Sequence, residues 1–379
     1  MSATLAEGAL LPAYARHDVT FVSGDGAWLT DADGRRYLDL LAGIAVVSLG
    51  HAHPAPLLAA QRQLEQLWHV SNLYANEPML QLAELLSKRF GGARAFFCNS
   101  GTEAVEAALK WARKATGRPV VVALEGSFHG RTHGALAVTG QPAKRAAWEP
   151  LAPAARFVPL NDADALATAV GPDVAAILVE PLQGEGGIHA ASPEFLAAAR
   201  ALADEHGALL VFDEIQCGVG RTGSFFAWEQ LGVRPDAVTL AKGLANGLPI
   251  GALLVADAAP EGFVPGDHGS TFGGNPVACA ALPHGREQGA VDRLEHGDCR
   301  GAQLAAGLGS LPGVLEVRGR GLMLGAELDR PAGPVVAACL ETAVLVGSAG
   351  ETVLRLTPPL TIASGEVDTG LARLEAVLA

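Results

Sequence analysis

The chain has 379 residues, of which 49% are hydrophobic and 18% are charged, and its formal net charge is −13. This composition predicts a globular protein with a sizeable core and two domains, and the acidic balance argues against nucleic acid or anionic membranes as partners. No apolar run reaches membrane-spanning length and the first residues lack the basic region of a signal peptide, so we expect a cytoplasmic protein.

The predicted elements begin with a hairpin at 26–40, whose turn is the sequence Asp-Ala-Asp-Gly at 31–34. Between about residues 90 and 260, short apolar runs alternate with amphipathic stretches near 102–116 and 193–206. The runs predict six strands, which begin at Ala95, Val120, Ala175, Ala208, Ala237 and Ala252. This alternation predicts an α/β fold with a largely parallel sheet.

The remainder of the chain has a more mixed pattern. It predicts strands near 314–328, a helix at 334–344, a strand at 353–356 and a final helix. We expect residues 1–45 and 273–379 to meet as a smaller α+β domain beside a large domain of residues 46–272. One stretch is irregular, because Pro283 and three glycines lower its helix propensity. We therefore expect a broken or poorly ordered helix between Leu282 and Cys299.

One of the five lysines differs from the others in its surroundings. Lys242 lies in the Gly-broken apolar segment 239–252, where an ammonium loses hydration and is pushed toward its neutral, nucleophilic form. An amine in that form attacks carbonyl groups to make Schiff bases. The other four lie in stretches with the polar spacing of exposed helix or loop: Lys88, Lys110, Lys114 and Lys144.

A carboxylate is predicted close to the end of a buried strand, because the apolar run 208–212 leads directly into Asp213. A strand-end aspartate together with a desolvated lysine indicates pyridoxal phosphate as the cofactor. In such a site Lys242 forms the imine, and Asp213 keeps the pyridine nitrogen protonated.

The segment Asn99–Glu103 is a candidate phosphate site between a predicted strand and a predicted helix. It offers free backbone N–H groups, the helix dipole and two hydroxyl groups, the usual arrangement for holding a phosphate. The same residues are also compatible with an ordinary helix cap. Their combination with Asp213 and Lys242 favours phosphate binding.

Two further motifs compete with this interpretation. Gly218–Gly223 matches a dinucleotide-binding pattern, on which a nicotinamide-dependent dehydrogenase would rest, but no convincing helix follows it, and we interpret it as an active-site loop. Histidines at 51 and 53, or at 129 and 133, have metal-like spacing, yet no clustered carboxylate completes either set. Five scattered cysteines without a Cys-x-x-Cys pair argue against a zinc site and against a disulfide framework.

In order along the chain, the motifs resemble the class III, fold-type-I aminotransferases that use pyridoxal phosphate. The resemblance runs nearly end to end and is carried by the segments 43–54, 67–74, 97–104, 128–132, 180–187, 213–223, 239–252 and 268–276. It implies a mostly parallel seven-stranded sheet in a large domain, with a smaller α+β domain formed by both chain ends.

The resemblance assigns cofactor contacts to individual residues. In that family the residues that match Ser100, Gly101 and Thr102 hold the phosphate, and the one that matches Phe128 stacks on the cofactor ring. Those that match Asp213 and Gln216 contact the pyridine nitrogen and the 3′-hydroxyl. Glu214 and Ile215, which lie between them, are counted with the cofactor-binding residues.

Substrate contacts are implied in the same way. The match to Arg131 binds the α-carboxylate of an acylated donor, the match to Arg355 binds the carboxylate of 2-oxoglutarate, and Glu185 matches a switch residue. A planar guanidinium suits a carboxylate. By residue type alone, a surface loop is favoured for Arg131, and Arg355 is as compatible with a structural ion pair as with substrate binding.

The resemblance also implies a homodimer with active sites shared at the interface. The match to Thr271 completes the phosphate site of the neighbouring subunit, and the match to Ser270 touches the donor. A two-fold dimer would form two such sites at once. The alternative for this segment is a Gly-rich surface turn.

Within the family, Ile44 and the sequence Asn-Leu-Tyr at 72–74 resemble the acetylornithine branch. The implied reaction transfers the terminal amino group of N2-acetyl-L-ornithine to 2-oxoglutarate, giving N-acetyl-L-glutamate 5-semialdehyde and L-glutamate in arginine biosynthesis. Succinyl-diaminopimelate fits the same contacts. Another ω-aminotransferase or an aminomutase is the remaining alternative.

Overall fold

The computed structural model describes residues 9–282 and 287–379. The first element is an antiparallel three-stranded unit of β1 (Phe21–Asp25), β2 (Trp28–Asp31) and β3 (Arg36–Asp39). The predicted hairpin is confirmed, because β2 pairs with β3 in the register Trp28 to Leu38. No helix in the described ranges has both the length and the apolar character needed to cross a membrane.

The middle of the chain builds the large sheet and its helices. In order, its elements are α1 (Ala42–Ala45), α2 (Pro54–Leu64), α3 (Glu77–Phe90), β4 (Ala93–Cys98), α4 (Gly101–Thr116), β5 (Val120–Leu124), α5 (His133–Ala137), α6 (Pro142–Arg145), β6 (Ala155–Val158), α7 (Ala163–Ala169), β7 (Val174–Val179), β8 (Leu182–Gln183), β9 (His189–Ala190), α8 (Pro193–His206), β10 (Leu209–Asp213), β11 (Ala237–Leu240) and β12 (Gly251–Ala256).

The large sheet has seven strands in the order β4-β12-β11-β10-β7-β5-β6. All neighbours are parallel except β12, which runs antiparallel to both β11 and β4. The predicted mostly parallel sheet is confirmed. Strands β5, β7 and β10 are buried along their whole length, as expected for nearly continuous apolar runs inside a parallel sheet.

Strand β6 was not predicted from the sequence. It has four residues, includes the exposed Arg156, and pairs only with β5 at the edge of the sheet. An edge strand needs no continuous apolar run, because one of its sides is not covered by a neighbouring strand.

The C-terminal part contains α9 (Pro276–Ala281), α10 (Glu287–Gly309), β13 (Val314–Arg320), β14 (Met323–Leu328), α11 (Ala332–Glu341), β15 (Val344–Leu345), β16 (Gly347–Ala349), β17 (Val353–Leu356) and α12 (Ser364–Leu378). Helix α11 ends three residues earlier than predicted, because the chain then forms β15. Strand β15 pairs in parallel with β3, so the two chain ends share one sheet. Leu38 and Leu40 pack in the same core as α10, β14 and α12.

The irregular segment is interrupted where the sequence predicts a break. Helix α9 ends at Ala281, and Leu282 has an extended backbone with φ −64° and ψ 126°. Residues 283–286, which include Pro283 and Gly285, lie outside the described residues. The chain is helical again from Glu287 onward and stays helical through Gly289 and Gly297, so the break lies at the start of the segment between Leu282 and Cys299.

Two glycines of α10 differ in the space around them, so replacing each with alanine should change the free energy of unfolding in opposite directions. A Cβ at Gly301 would meet the carbonyl oxygen of Gly321 at 2.2 Å, whereas a Cβ at Gly297 would have its nearest neighbour, Leu322, at 3.9 Å. Gly301→Ala should therefore lower the free energy of unfolding by about 1–3 kcal/mol through overpacking. Gly297→Ala should raise it by up to about 1 kcal/mol through helix propensity. Urea unfolding of both variants checks this, and a gain in stability for Gly301→Ala would contradict the packing.

Candidate active site

A cavity of about 400 Å³ lies at the carboxyl ends of the central strands. The segments after β4, β5, β7, β10 and β11 all reach it, which is where parallel α/β sheets bind ligands. Its lining includes most of the sequence-predicted site residues: Ser100, Gly101, Thr102, Phe128, Arg131, Glu185, Asp213, Ile215, Gln216 and Lys242.

One end of the cavity is formed by the first turn of α4. Ser100 is the N-cap residue, and its hydroxyl accepts a hydrogen bond from the backbone N–H of Glu103 at 3.3 Å. The capping alternative is therefore correct for Ser100, and it coexists with a cavity-facing helix N-terminus that suits an anion. Gly101 is needed here, because a Cβ would approach the side chain of Ile215 to 2.8 Å.

The threonine of this turn belongs to a short hydrogen-bond chain. The hydroxyl of Thr102 lies 2.8 Å from that of Thr132, which donates in turn to Glu106. Glu106 also accepts hydrogen bonds from the backbone N–H groups of Gly134 and Ala135. The chain fixes the loop that carries Arg131 to the helix that carries Thr102.

Asp213 is the buried carboxylate of the cavity, with 3% of its surface exposed. One oxygen lies 2.7 Å from Nδ1 of His129. The other accepts hydrogen bonds from the hydroxyl of Thr239 and from the backbone N–H of Ile215, each at 3.1 Å. Three partners thus hold the carboxylate in one orientation at the end of β10.

His129 contributes to the site through this contact. Burial acts to lower its pKa, but the hydrogen bond and the charge of Asp213 raise the pKa overall. Its Nε2 atom is buried without a hydrogen-bond partner among the described residues. In the described ranges no group of three or more His, Cys, Asp or Glu residues could hold a metal ion.

Glu180 is a second buried acid beside this pair. It follows β7, and its carboxylate accepts hydrogen bonds from the backbone N–H groups of Phe128 at 2.9 Å and Gly184 at 3.3 Å. Burial raises the pKa of Glu180 to about 7, against the opposing charge of His129.

The roles of His129 and Glu180 in the site were missed from the sequence. His129 and Asp213 are 84 residues apart, so no local spacing predicts their contact. For Glu180 a signal was present, because it follows a buried strand as Asp213 does.

Lys242 follows β11, the strand next to β10, and therefore lies in the same cavity as Asp213. Enclosure by the cavity walls lowers the pKa of Lys242 to about 8, with an opposing effect of the Glu185 charge. Its backbone has φ +43°, a left-handed conformation that a side chain rarely adopts. Such strain commonly marks a functional position. The half-buried position of Lys242 in the cavity agrees with the expected loss of hydration.

Arg355 lies behind the cavity wall and is almost completely buried. Its guanidinium forms an ion pair with Glu185 and lies 3.4 Å from Oε1 of Gln216. Burial acts to raise the pKa of Glu185, but the charge and hydrogen bond of Arg355 lower it overall. Strand β17, which belongs to a different sheet, thus places the guanidinium of Arg355 against the carboxylate of Glu185.

Besides Arg355, three predicted residues do not line the cavity. The carboxylate of Glu214 accepts hydrogen bonds from the backbone N–H groups of Ala227 and Trp228, so its side chain is held elsewhere. Ser270 accepts a hydrogen bond from Nδ2 of Asn99 at 3.0 Å, which places it next to the N-terminus of α4 in its own chain. Thr271 is exposed.

The loop Gly218–Gly223 is not part of the cavity lining, although Val219 lies close to Gly243, the neighbour of Lys242. Arg221 is buried in it and donates hydrogen bonds to the carbonyl oxygens of Leu322 and Pro358. Burial lowers the pKa of Arg221 to about 9. The loop continues into turns rather than a long helix, so a dinucleotide site is not formed either.

The chain is similar to known aminotransferases along nearly its whole length. Acetylornithine aminotransferase from Mycolicibacterium smegmatis is 49% identical over 377 residues, which cover 98% of this chain and 96% of that protein. The crystal structure of N-acetylornithine aminotransferase from Stenotrophomonas maltophilia has a TM-score of 0.82 and 39% identity, with 96% of each chain covered.

A third similar protein is ornithine aminotransferase from Toxoplasma gondii, whose structure has partial occupancy of pyridoxal phosphate at the active site. Its TM-score is 0.90 at 32% identity, covering 98% of this chain and 92% of that one. Residues 12–378 match the family described as "Aminotransferase class-III", which uses pyridoxal phosphate. The chain belongs to the class-III aminotransferases and is a pyridoxal-phosphate-dependent transaminase.

Proposed function

We propose that this enzyme transfers the terminal amino group of N2-acetyl-L-ornithine to 2-oxoglutarate, giving N-acetyl-L-glutamate 5-semialdehyde and L-glutamate. The observation that carries the proposal is the pairing of Lys242, an amine with a pKa of about 8, with the buried carboxylate of Asp213 in one cavity. The choice of donor is supported by relatives that carry this name at 47–49% identity.

The residues of the cavity fit pyridoxal phosphate. The N-terminus of α4, with Ser100, Gly101 and Thr102, offers backbone N–H groups and hydroxyls to the phosphate. The ring of Phe128 offers a flat apolar face, and the fixed carboxylate of Asp213 offers a partner for the pyridine nitrogen. When bound, the cofactor supplies an electron sink and carries the amino group between the two substrates.

Ile215 and Gln216 also adjoin the cofactor in this proposal, through packing on Gly101 and through a side-chain amide. Glu214 has no such contact, because its carboxylate is bound to the backbone at 227–228. Its part is to anchor the segment that carries Ile215 and Gln216.

The side chains in and around the cavity have different roles in the reaction. Lys242 would hold the cofactor at rest and, as a free amine, would remove and return the proton at the donor carbon. Arg131 at the mouth binds the carboxylate of the donor. Glu185 forms an ion pair with Arg355 and must release it before Arg355 binds a carboxylate of 2-oxoglutarate.

We propose a homodimer in the cytoplasm, with Thr271 and Ser270 at the shared site. Thr271 is exposed and followed by the exposed aromatic ring of Phe272, which supports a contact with a second chain. All five cysteines are free, as is common in a reducing compartment. We propose a large domain of residues 46–272 and a small domain of residues 1–45 and 273–379, although α9 still packs into the larger core.

The reaction is tested by incubating the enzyme with 2-oxoglutarate and either acetylornithine or succinyl-diaminopimelate. One glutamate should form for each semialdehyde, with higher kcat/KM for acetylornithine. A higher kcat/KM for succinyl-diaminopimelate would reassign the donor. Product without glutamate would indicate an aminomutase instead.

Replacement of Lys242 tests the attachment of the cofactor. Lys242→Ala should bind cofactor without a covalent link and lose about a thousandfold or more in rate, since it lacks both nucleophile and proton carrier. In the wild type, apoenzyme should capture cofactor faster as pH rises and level off above about 8, because deprotonation makes the amine nucleophilic. Borohydride reduction followed by peptide mapping should label Lys242. A label on Lys144, or a plateau near 10.5, would refute the assignment.

Replacement of Glu185 tests its role as a switch. Glu185→Ala leaves Arg355 without its ion-pair partner, so the enzyme should prefer substrates with a second carboxylate more strongly. We expect the preference for glutamate over acetylornithine as amino donor to rise about tenfold, the effect of one charge-assisted hydrogen bond. Glu194→Ala, in the exposed first turn of α8, is the matched control. An unchanged preference in Glu185→Ala would remove the switch.

Complementation tests the shared site. Inactive Lys242→Ala chains mixed with inactive Thr271→Trp chains should recover part of the activity, because one kind of heterodimer site contains both native residues. The mixture is compared with each variant alone, and heterodimers are quantified by an affinity tag on one chain. Proven heterodimers without activity would contradict the shared site.

A further inference from the structure

Two cations lie near the aromatic ring at the cavity mouth. The guanidinium carbon of Arg131 is 5.7 Å from the ring centroid of Phe128, and Nζ of Lys144 is 5.1 Å from the same centroid. Lys144 belongs to α6, which is separate from the loop that carries Arg131. Two elements therefore bring positive charge to one ring of the cavity lining.

In the described parts of the chain, no carboxylate forms an ion pair with Arg131 or Lys144, and the contact of Lys144 is a hydrogen bond to the neutral amide oxygen of Gln141. Arg131 is exposed and Lys144 is half-buried. The buried ions near the cavity differ, because Arg355 pairs with Glu185 and Asp213 is bound by His129.

Lys144 is not part of the cavity lining, but the charged groups of the cavity affect its pKa. Burial lowers the pKa of Lys144, and the charges of Arg131 and Arg355 lower it further, against Glu185 and Glu180. The charged groups that act on it all belong to the cavity or its wall. A carboxylate bound at the mouth would relieve this repulsion. A solvated lysine on an exposed helix would not be coupled to these groups.

We propose that Lys144 is a specificity-determining residue, which together with Arg131 receives the carboxylate end of the donor and selects donors whose α-amino group is acylated. The inference rests on the proposed function and deepens it. A guanidinium binds a carboxylate through a planar fork, and an adjacent ammonium adds a point charge that also suits an acyl oxygen.

The selection follows from charge. A free diamino acid carries a protonated α-amino group next to its carboxylate, and two cations without an ion-pair partner among the described residues repel that group. Acylation removes the positive charge and leaves a carboxylate with a neutral carbonyl oxygen beside it. Arg131 and Lys144 then attract both the carboxylate and the carbonyl oxygen of the acylated donor. In free ornithine they attract the carboxylate but repel the protonated α-amino group.

The test compares three holoenzymes: wild type, Lys144→Gln and Lys144→Arg, with Lys88→Gln on the exposed end of α3 as the matched control. For Lys144→Gln we expect KM for acetylornithine to rise about tenfold with kcat within about twofold, as for the loss of one charge-assisted hydrogen bond in binding. The ratio of kcat/KM for acetylornithine to that for ornithine should fall about as much. Lys144→Arg should restore most of both values, and Lys88→Gln should match the wild type.

A binding measurement accompanies the kinetics. N-acetyl-L-norvaline has the acylated end of the donor but no terminal amine, so its dissociation constant, measured by calorimetry on holoenzyme, reports the mouth alone. We expect Lys144→Gln to raise the dissociation constant of N-acetyl-L-norvaline about tenfold and to raise that of L-norvaline less. The cofactor absorbance of each variant checks that the site is intact.

The outcomes separate this inference from the proposed function. If the wild type forms no glutamate from acetylornithine, the proposed function fails, and the inference fails with it. If the wild type is active but Lys144→Gln keeps both the donor preference and the affinity for N-acetyl-L-norvaline, the inference alone is overturned. A lower kcat with unchanged KM would assign Lys144 to a step other than donor recognition and would also overturn it.

Discussion

The active site depends on holding one carboxylate, that of Asp213, in a fixed orientation inside a buried cavity. Buried carboxylates are costly unless hydrogen bonds satisfy them, and Asp213 has His129, Thr239 and the backbone of Ile215 as partners. One partner comes from the loop after β5 and another from β11, on either side of the strand β10 that carries Asp213. The order of the parallel sheet is therefore what makes this site possible. Lys242 shares the cavity because β11 is the next strand.

A second constraint is that the sheet containing β17 must stay attached to the seven-stranded sheet. Arg355 on β17 reaches Glu185, and Arg221 of the large part donates to carbonyl oxygens of residues 322 and 358. These contacts place a buried cation at the cavity wall from a different sheet. The shared sheet of β3 and β15 explains why both chain ends are needed for this arrangement.

The sequence predicted what is encoded locally. Lys242 and Asp213 were found because a desolvated lysine and a strand-end carboxylate have recognisable neighbours, and the strands followed from continuous apolar runs. The partner of Asp213 was not predictable, since His129 meets it only through the strand order. The side chain of Glu214 was placed with the cofactor because of its position in the motif, but its carboxylate is bound by backbone at 227–228. Strand β6 escaped prediction because an edge strand with Arg156 lacks an apolar run.

The central claim is that the carboxylate of Asp213, fixed by His129, keeps a proton on the pyridine nitrogen of the cofactor. Nitrogen-15 NMR of holoenzyme reconstituted with 15N-labelled pyridoxal phosphate measures this directly. The account predicts the chemical shift of a protonated pyridine nitrogen in the wild type and of an unprotonated one in Asp213→Asn. An unprotonated nitrogen in the wild type, or no difference between the two proteins, would contradict it.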